Sequence, residues 1–429
     1  MLINDIAWQH ADEPTDGAGQ GPWIVMANIL YAKIGDSLPV GIVNTAVGGT
    51  GLTISAGYGR WLKNSPDPAD SMYRNAIARF RHAGSSLECF TWIQGEADGE
   101  GGMLFDPGIY RTQFSNLIRN FITDLGDTFP AFHLQISGYS GPIPPATYPQ
   151  AREALRILPP STLVGTAIGR PLWDGAFHYT VATYQAVGRM FAGAVLKNQY
   201  GLVTSMYPPL MPDTVAKLDS ITDGSIIGRY CFSITWMRGG IPVKLTNVNP
   251  AQYFALHGDG ILLDSSLVWY IVSPKDSSHV LVGLRNDSIT LDHNWLVTYD
   301  VTAGGEHAPL ATIDQVSGDT IFATAFYKLP VQIPSTANAG VKEFSLQSVL
   351  PNPSTNAINC YVLAHKRQEV SIALYDDRGV VLRRESVVLE SGSQDISIST
   401  DGLLSGNYWV SIIDGKGNEV VVKAIVLSK

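Results

Sequence analysis

An α/β domain built on a parallel sheet, followed by two all-β sandwiches, is the fold class that this sequence predicts. Three observations carry the reading. Up to about residue 203, short apolar runs alternate with helical stripes, as a parallel sheet with crossover helices requires. From Thr204 the pattern becomes short alternating runs separated by Gly, Asp and Asn turns, with no helical stripe between them. Residues Leu329 to Val341 then form a stretch low in charge with two prolines, which reads as a linker to a further β domain. At 429 residues the chain is too long for one core and fits two to three domains.

The elements follow in order. A helix opens at Gly21-Pro22 and presents Trp23, Ala27, Leu30 and Ile34 on one face. The β-branched run Val40 to Asn44 reads as a strand, broken at Gly48-Gly49. Met72 to Gly84 is a helix with Tyr73, Ile77 and Phe80 on one face. The apolar run Cys89 to Ile93 is a strand feeding the polar loop Gln94-Gly95-Glu96-Ala97-Asp98. Tyr110 to Leu125 is a helix with Phe114, Leu117, Ile118 and Phe121 inward, followed by a strand at Ala131 to Ile136. The last strand, Leu163 to Ala167, leads through Trp173-Asp174-Gly175-Ala176-Phe177-His178 into a helix striped by Val181, Tyr184, Val187, Phe191 and Val195.

Three loops, each after a strand, therefore gather at the carboxyl edge of one sheet, where open α/β folds bind ligands. Paired glycines at 48 and 49 let the backbone turn and leave N–H groups uncovered, which suits an anion or oxyanion. His178 precedes a helix, whose dipole favours a neutral imidazole able to act as a base. These residues resemble the blocks of the sialate O-acetylesterase-like carbohydrate esterases, a branch of the SGNH hydrolases, over residues 22 to 200. The carriers are Trp92-Ile-Gln-Gly-Glu-Ala-Asp98, Gly48-Gly49-Thr50 and Asp174 with His178; Tyr148 to Ala154 is similar to the family's helix before the last strand. The resemblance implies a flavodoxin-like three-layer sheet and a serine-hydrolase site without metal or organic cofactor. It assigns oxyanion or substrate contacts to Gly48, Gly49, Gln94 and Glu96, and the triad's acid and base to Asp174 and His178. That block usually holds two residues between acid and base. This chain has three, which leaves Glu96 and Asp98 open as alternative orienters of the imidazole.

The nucleophile is where the chain departs from the family, which carries it in a first block after the first strand. Gly35-Asp36-Ser37-Leu38 matches the letters but follows a helix and precedes a strand. That context puts Ser37 at the amino edge, about 16 Å from the oxyanion loop at about 3.3 Å per strand residue. Ser37 is accordingly read as a turn residue, since a nucleophile needs hydrogen-bond reach of its base. Residues 1 to 21 contain no serine, and Met1 to Ile6 lacks the basic and apolar regions of a signal peptide. The expectation is an N-terminally truncated α/β domain, with its nucleophile upstream of Met1 and its activity impaired.

The 29 basic and 38 acidic residues give a net charge of −9 without a basic stripe, which argues against nucleic acid as a partner. No apolar run is long enough to span a bilayer. Cys89, Cys231 and Cys360 fall in three different domains, so no structural disulfide is expected, and the nine histidines show no metal-ligand spacing.

The middle module is marked by Tyr230 to Trp236, Val243 to Val248, His279 to Leu284 and Ile321 to Phe326. Trp236, Trp269 and Trp295 fit either a sugar platform or its core, and aromatic strand residues are usually core. In the last module, Val370, Ile372 and Leu374 alternate, as do Tyr408, Val410 and Ile412. Leu350-Pro-Asn-Pro353, Leu374 to Gly379, and Leu403 to Tyr408 occur in the order of the C-terminal sorting domain of type IX secretion, which this module resembles. The expected domains are residues 1–203, 204–330 and 342–429, with a linker at 331–341. The resemblances together imply a carbohydrate O-acetylesterase, secreted or at the surface of a Gram-negative bacterium, with acetylated carbohydrate and the type IX machinery as partners. The alternative is a glycan-binding or pseudoenzyme surface protein on the same scaffold. A lipase-like hydrolase would share the mechanism but needs an apolar acyl pocket that the sequence does not mark.

Overall fold

The computed structural model describes residues 21–34, 40–53, 59–84, 86–100, 105–137, 147–174, 177–204, 206–218, 231–239, 241–246, 253–259, 261–264, 267–272, 277–284, 295–299, 310–314, 319–331, 344–350, 356–364, 366–375, 381–403, 406–415 and 419–426. The chain forms two compact units, Met1–Ile333 and Pro334–Lys429.

The first unit opens with α1 (Trp23–Ile34) and α2 (Met72–His82), and continues with β1 (Phe90–Trp92), α3 (Glu96–Gly99), α4 (Pro107–Leu125), β2 (Ala131–Gln135), α5 (Tyr148–Arg156), β3 (Ser161–Thr166) and α6 (Val181–Tyr200). The three strands pair in parallel in the order β1-β2-β3, with Phe90 opposite Ala131 and Ala131 opposite Ser161. Alternation along the strands sends side chains to two cores, as the twofold strand period requires. Phe90, Trp92 and Ala131 pack with residues of α2, α4 and α5, including Phe80, Phe121 and Leu155. Phe132, Leu134 and Val164 pack with Met26 and Leu30 of α1 and with Val187, Phe191 and Val195 of α6. The described strands of this sheet thus lie between two helical layers.

Local chemistry explains the helix ends. Asp106 caps α4 by accepting the N–H groups of Gly108 and Ile109 at 2.7 and 2.9 Å, Pro107 starts the helix, and Gly126 ends it at φ 70°. The helix consequently begins three residues before the expected Tyr110. In α1 the buried face is centred on Met26 and Leu30, with Trp23 and Ile34 at its margin. In α6, Val181 is exposed, while Ala186 to Leu196 is buried nearly all round because the helix lies between the sheet and α1.

One expected strand is absent. Residues 40–47 have no ladder, although Val40 packs in the α1/α6 core and Val43 in the opposite one. The run has strand-like alternation but no pairing partner among the described residues; the Asn44 carbonyl instead accepts from the Arg79 guanidinium. Ser37 lies outside the described residues.

The rest of this unit is antiparallel. One sheet joins Leu210–Leu218, Cys231–Arg238, His279–Leu284 and Val268–Val272; a second joins Phe326–Pro330, Trp295–Tyr299, Phe254–Gly258 and Ile261–Leu262. Their facing sides enclose one core. Trp236 and Trp295 are buried in it, so neither is a sugar platform, and the side chain of Trp269 lies outside the described residues. The run expected as a strand from Val243 has no ladder at 243–246. Leu329 and Val331, placed at the start of the expected linker, pack in this core, and 332–343 lies outside the described residues. The α/β layer is fastened to this module by Gln135, whose amide donates to the Ala325 carbonyl and accepts from the Ala325 N–H, both at 2.8 Å.

Among the described residues, the second unit is a seven-stranded sandwich. Phe344–Leu350, Ala357–Ala364 and Gly392–Ser399 form one sheet; Val381–Leu389, Gln368–Tyr375, Gly406–Asp414 and Glu419–Val426 form the other. Val370, Ile372 and Leu374 face Ile358, Cys360 and Ile398 in its core, as their alternation requires. Among the described residues, Cys89 and Cys360 are free, and no helix is long and apolar enough to cross a membrane.

Candidate active site

The first loop turns at Gly48-Gly49, where Gly49 takes φ 71°. Thr50 fixes the turn, donating its hydroxyl to the Val47 carbonyl at 2.8 Å and accepting from the Trp61 indole at 3.0 Å. Both glycines are exposed, and neither N–H has a partner among the described residues. A Cβ on Gly48 would meet nothing within 4 Å, so the space before it is open. Two N–H groups of this kind, with no partner among the described residues, can serve an anion.

The second loop is built around one side-chain amide, Gln94, and one carboxylate, Asp98. Gly95 has φ 146°, and a Cβ there would come within 2.9 Å of Leu155, so glycine is required. Asp98 is fully buried and accepts the Leu52 N–H at 2.8 Å, the Thr53 N–H at 2.7 Å, the Thr53 hydroxyl at 2.5 Å and the Gln94 amide at 2.7 Å. The same Gln94 amide donates to the Thr50 carbonyl at 3.2 Å, and its oxygen accepts from Tyr110 at 2.8 Å. Both hydrogens of Gln94 are thereby committed within the protein. The donor expected at the oxyanion is a strut between the first two loops, and the available N–H groups are those of Gly48 and Gly49. Asp98 likewise holds the first loop.

The third loop is a narrow turn. Leu172 bridges Tyr179, and the Trp173 N–H donates to the His178 carbonyl at 2.9 Å. One Asp174 oxygen accepts the N–H groups of Phe177 and His178 at 3.0 and 3.1 Å, and the other lies 2.5 Å from His178 Nδ1. With three residues between them in sequence, the Asp174 and His178 side chains still meet. His178 is 63 % exposed, and its Nε2 has no hydrogen-bond partner among the described residues. His178 does not start the helix as expected. Thr180 is the N-cap, accepting the Thr183 N–H, and the dipole's effect fades outside the first turn.

Glu96 joins the second loop to the third. Its carboxylate accepts from the Tyr179 hydroxyl at 3.5 Å, and burial raises its pKa to about 7. Asp174, not Glu96, lies at His178 Nδ1. Tyr110 and Tyr179 are the site residues that sequence reasoning missed. On α4 the spacing of Tyr110 marks it only as core, and Tyr179 stands in the loop without any periodic signal.

Residues 1–197 match the profile of the family described as carbohydrate esterase, sialic acid-specific acetylesterase. Residues 348–427 match that of the secretion system C-terminal sorting domain. The two ends of the chain carry the signatures of these two families. The sorting domain marks a secreted or cell-surface protein of a Gram-negative bacterium. A search of curated proteins finds no match. Solved structures that align include dimeric latent PorU from Porphyromonas gingivalis, with 14 % identity, 52 % of this chain and 20 % of that chain covered, and a TM-score of 0.21. The adhesin InvE of Yersinia pseudotuberculosis aligns at 10 % identity, 51 % and 58 % coverage and a TM-score of 0.17. The 47-kilodalton lipoprotein Tp47 of Treponema pallidum aligns at 12 % identity, 53 % and 53 % coverage and 0.17. The chain spans less than two thirds of each of these proteins, and likenesses at such TM-scores carry no argument.

Proposed function

We propose that the carbohydrate esterase domain removes O-acetyl groups from sugars by serine-hydrolase chemistry. The observation that carries this reading is the Asp174–His178 contact of 2.5 Å at Nδ1, together with an Nε2 free toward solvent. A carboxylate at Nδ1 selects the tautomer that keeps the lone pair on Nε2, which can take a proton from an attacking hydroxyl and return it to the departing sugar oxygen. The N–H groups of Gly48 and Gly49 are the donors available to the tetrahedral oxyanion. One such donor is worth about 2.7–4 kcal/mol of barrier.

The domain division at residues 203/204 and 330/331 belongs to the same reading, with the esterase in 1–203, an accessory sandwich in 204–330 and the sorting domain in 342–429. A second reading has support of its own. No hydroxyl among the described residues reaches His178 Nε2, as a glycan-binding protein that has lost its nucleophile would have it.

Acetate release from O-acetylated sialic acid and from acetylated xylan, with wild type and His178→Ala side by side, tests the esterase. Labelling by a fluorophosphonate, located by peptide mass spectrometry, identifies any activated serine. Acetate release that survives His178→Ala overturns the reading. No acetate release and no labelled serine in the wild type favours the binding protein.

A further inference from the structure

Trp173 is the most exposed of the tryptophans whose side chains are described, at 70 %, while Trp61, Trp92, Trp236 and Trp295 are all 5 % or less. The Trp173 ring is held in water beside the candidate base on a loop whose backbone the fold pins, so its place relative to the imidazole is set. The position is not slack. The Trp173 N–H is bonded to the His178 carbonyl, the next residue is Asp174, and the Leu172–Tyr179 bridge closes the turn behind it. The indole and the His178 imidazole lie 5.9 Å apart between centroids, with their planes inclined by 36°.

We propose that Trp173 is the platform on which the sugar ring of the substrate stacks, which makes it a specificity-determining residue of the esterase site. The inference rests on the esterase reading and adds to it where the sugar lies. A pyranose has an apolar face of C–H groups, each slightly positive, and the face of an indole is negative and flat. A ring laid on Trp173 lies alongside the imidazole, so that an acetyl group on its rim comes within reach of Nε2. Hydroxyls on the opposite face stay in water and need no buried partners.

The test separates sugar binding from chemistry. Isothermal titration of the full chain with two product-side probes, N-acetylneuraminic acid and xylotriose, is compared for wild type, Trp173→Ala and Trp173→Phe. The expected result is binding of at least one probe, weakened about tenfold by Trp173→Ala and largely restored by Trp173→Phe. Turnover of 4-nitrophenyl acetate, which has no sugar ring, is expected to fall by a smaller factor than sugar binding does in Trp173→Ala. Equal binding by wild type and Trp173→Ala overturns the proposal, as does absence of binding of either probe to the wild type. Parallel loss of 4-nitrophenyl acetate turnover in Trp173→Ala and Trp173→Phe also overturns it, because that pattern marks a role in holding the turn. Trp173-dependent sugar binding without any acetate release would sink the esterase reading and leave the platform standing.

Discussion

The Asp98 carboxylate accepts the backbone N–H of Thr53 at 2.7 Å, across 45 residues of sequence, and so fixes the glycine loop to α3, which follows β1. Asp98→Ala leaves the N–H groups of Leu52 and Thr53 and the Gln94 amide without their acceptor. At about 1–3 kcal/mol for each buried donor left unmet, offset by partial relaxation, the expected loss is about 2–4 kcal/mol. Urea denaturation of the two proteins checks it, and an unchanged midpoint would show that the carboxylate is dispensable.

Asp174→Asn should act on chemistry. The asparagine still offers an oxygen to the turn or to the imidazole, but its NH2 must face one of them, which disturbs the tautomer that keeps Nε2 basic. If wild type releases acetate, His178→Ala should lower kcat about a thousandfold, and Asp174→Asn nearly as much, with KM little moved. Steady-state kinetics on an activated acetyl ester decide. A fully active Asp174→Asn paired with a crippled Glu96→Gln would move the orienting role to Glu96.

Glu96 predicts a pH dependence of stability. Burial raises its pKa from 4.5 to about 7, so between those values the native state holds a proton that the unfolded chain has lost. Its contribution is therefore fully present below about pH 4.5, falls as pH rises to about 7, and stays lost above. Glu96→Gln, neutral throughout, should remove this decline and melt higher than wild type at pH 8, with a smaller difference at pH 5. Thermal melts at both values test the sign.

The glycines divide by backbone and by space. Gly49→Ala places a Cβ at φ 71°, which costs about 1–2 kcal/mol, whereas a Cβ on Gly48 meets nothing. Gly49→Ala should lower the melting temperature and Gly48→Ala should leave it nearly unchanged. Equal losses would show that open space before Gly48 is not maintained in solution.

Periodicity revealed most of the helices and strands because each buries one face against the sheet, and Phe114, Phe121, Val187 and Phe191 lie where their spacing put them. It could not reveal pairing. Val40 to Asn44 has the composition of a strand, yet composition specifies which sides are apolar and not whether a neighbour offers N–H and C=O groups. The contact of Asp174 with His178 was legible from residue type and order. The commitment of Gln94 was not, because it depends on Tyr110 and Thr50, brought in from α4 and the first loop by tertiary folding. Tyr179 was hidden for the same reason, as its link to Glu96 spans 83 positions.

The two hydrogen bonds between Gln135 and Ala325 bear on how such a protein can be assembled from parts. Here a side-chain amide does what a neighbouring peptide unit would do, and the acceptor and donor it needs lie 190 residues downstream. Transplanting another β module behind the helical layers would strand that amide in the interior unless the newcomer presented a matching backbone stretch. Gene shuffling that respects this clasp is confined to the junction near Ile333, which leaves the export tail as the freely exchangeable cassette and ties the two preceding layers into one inherited piece.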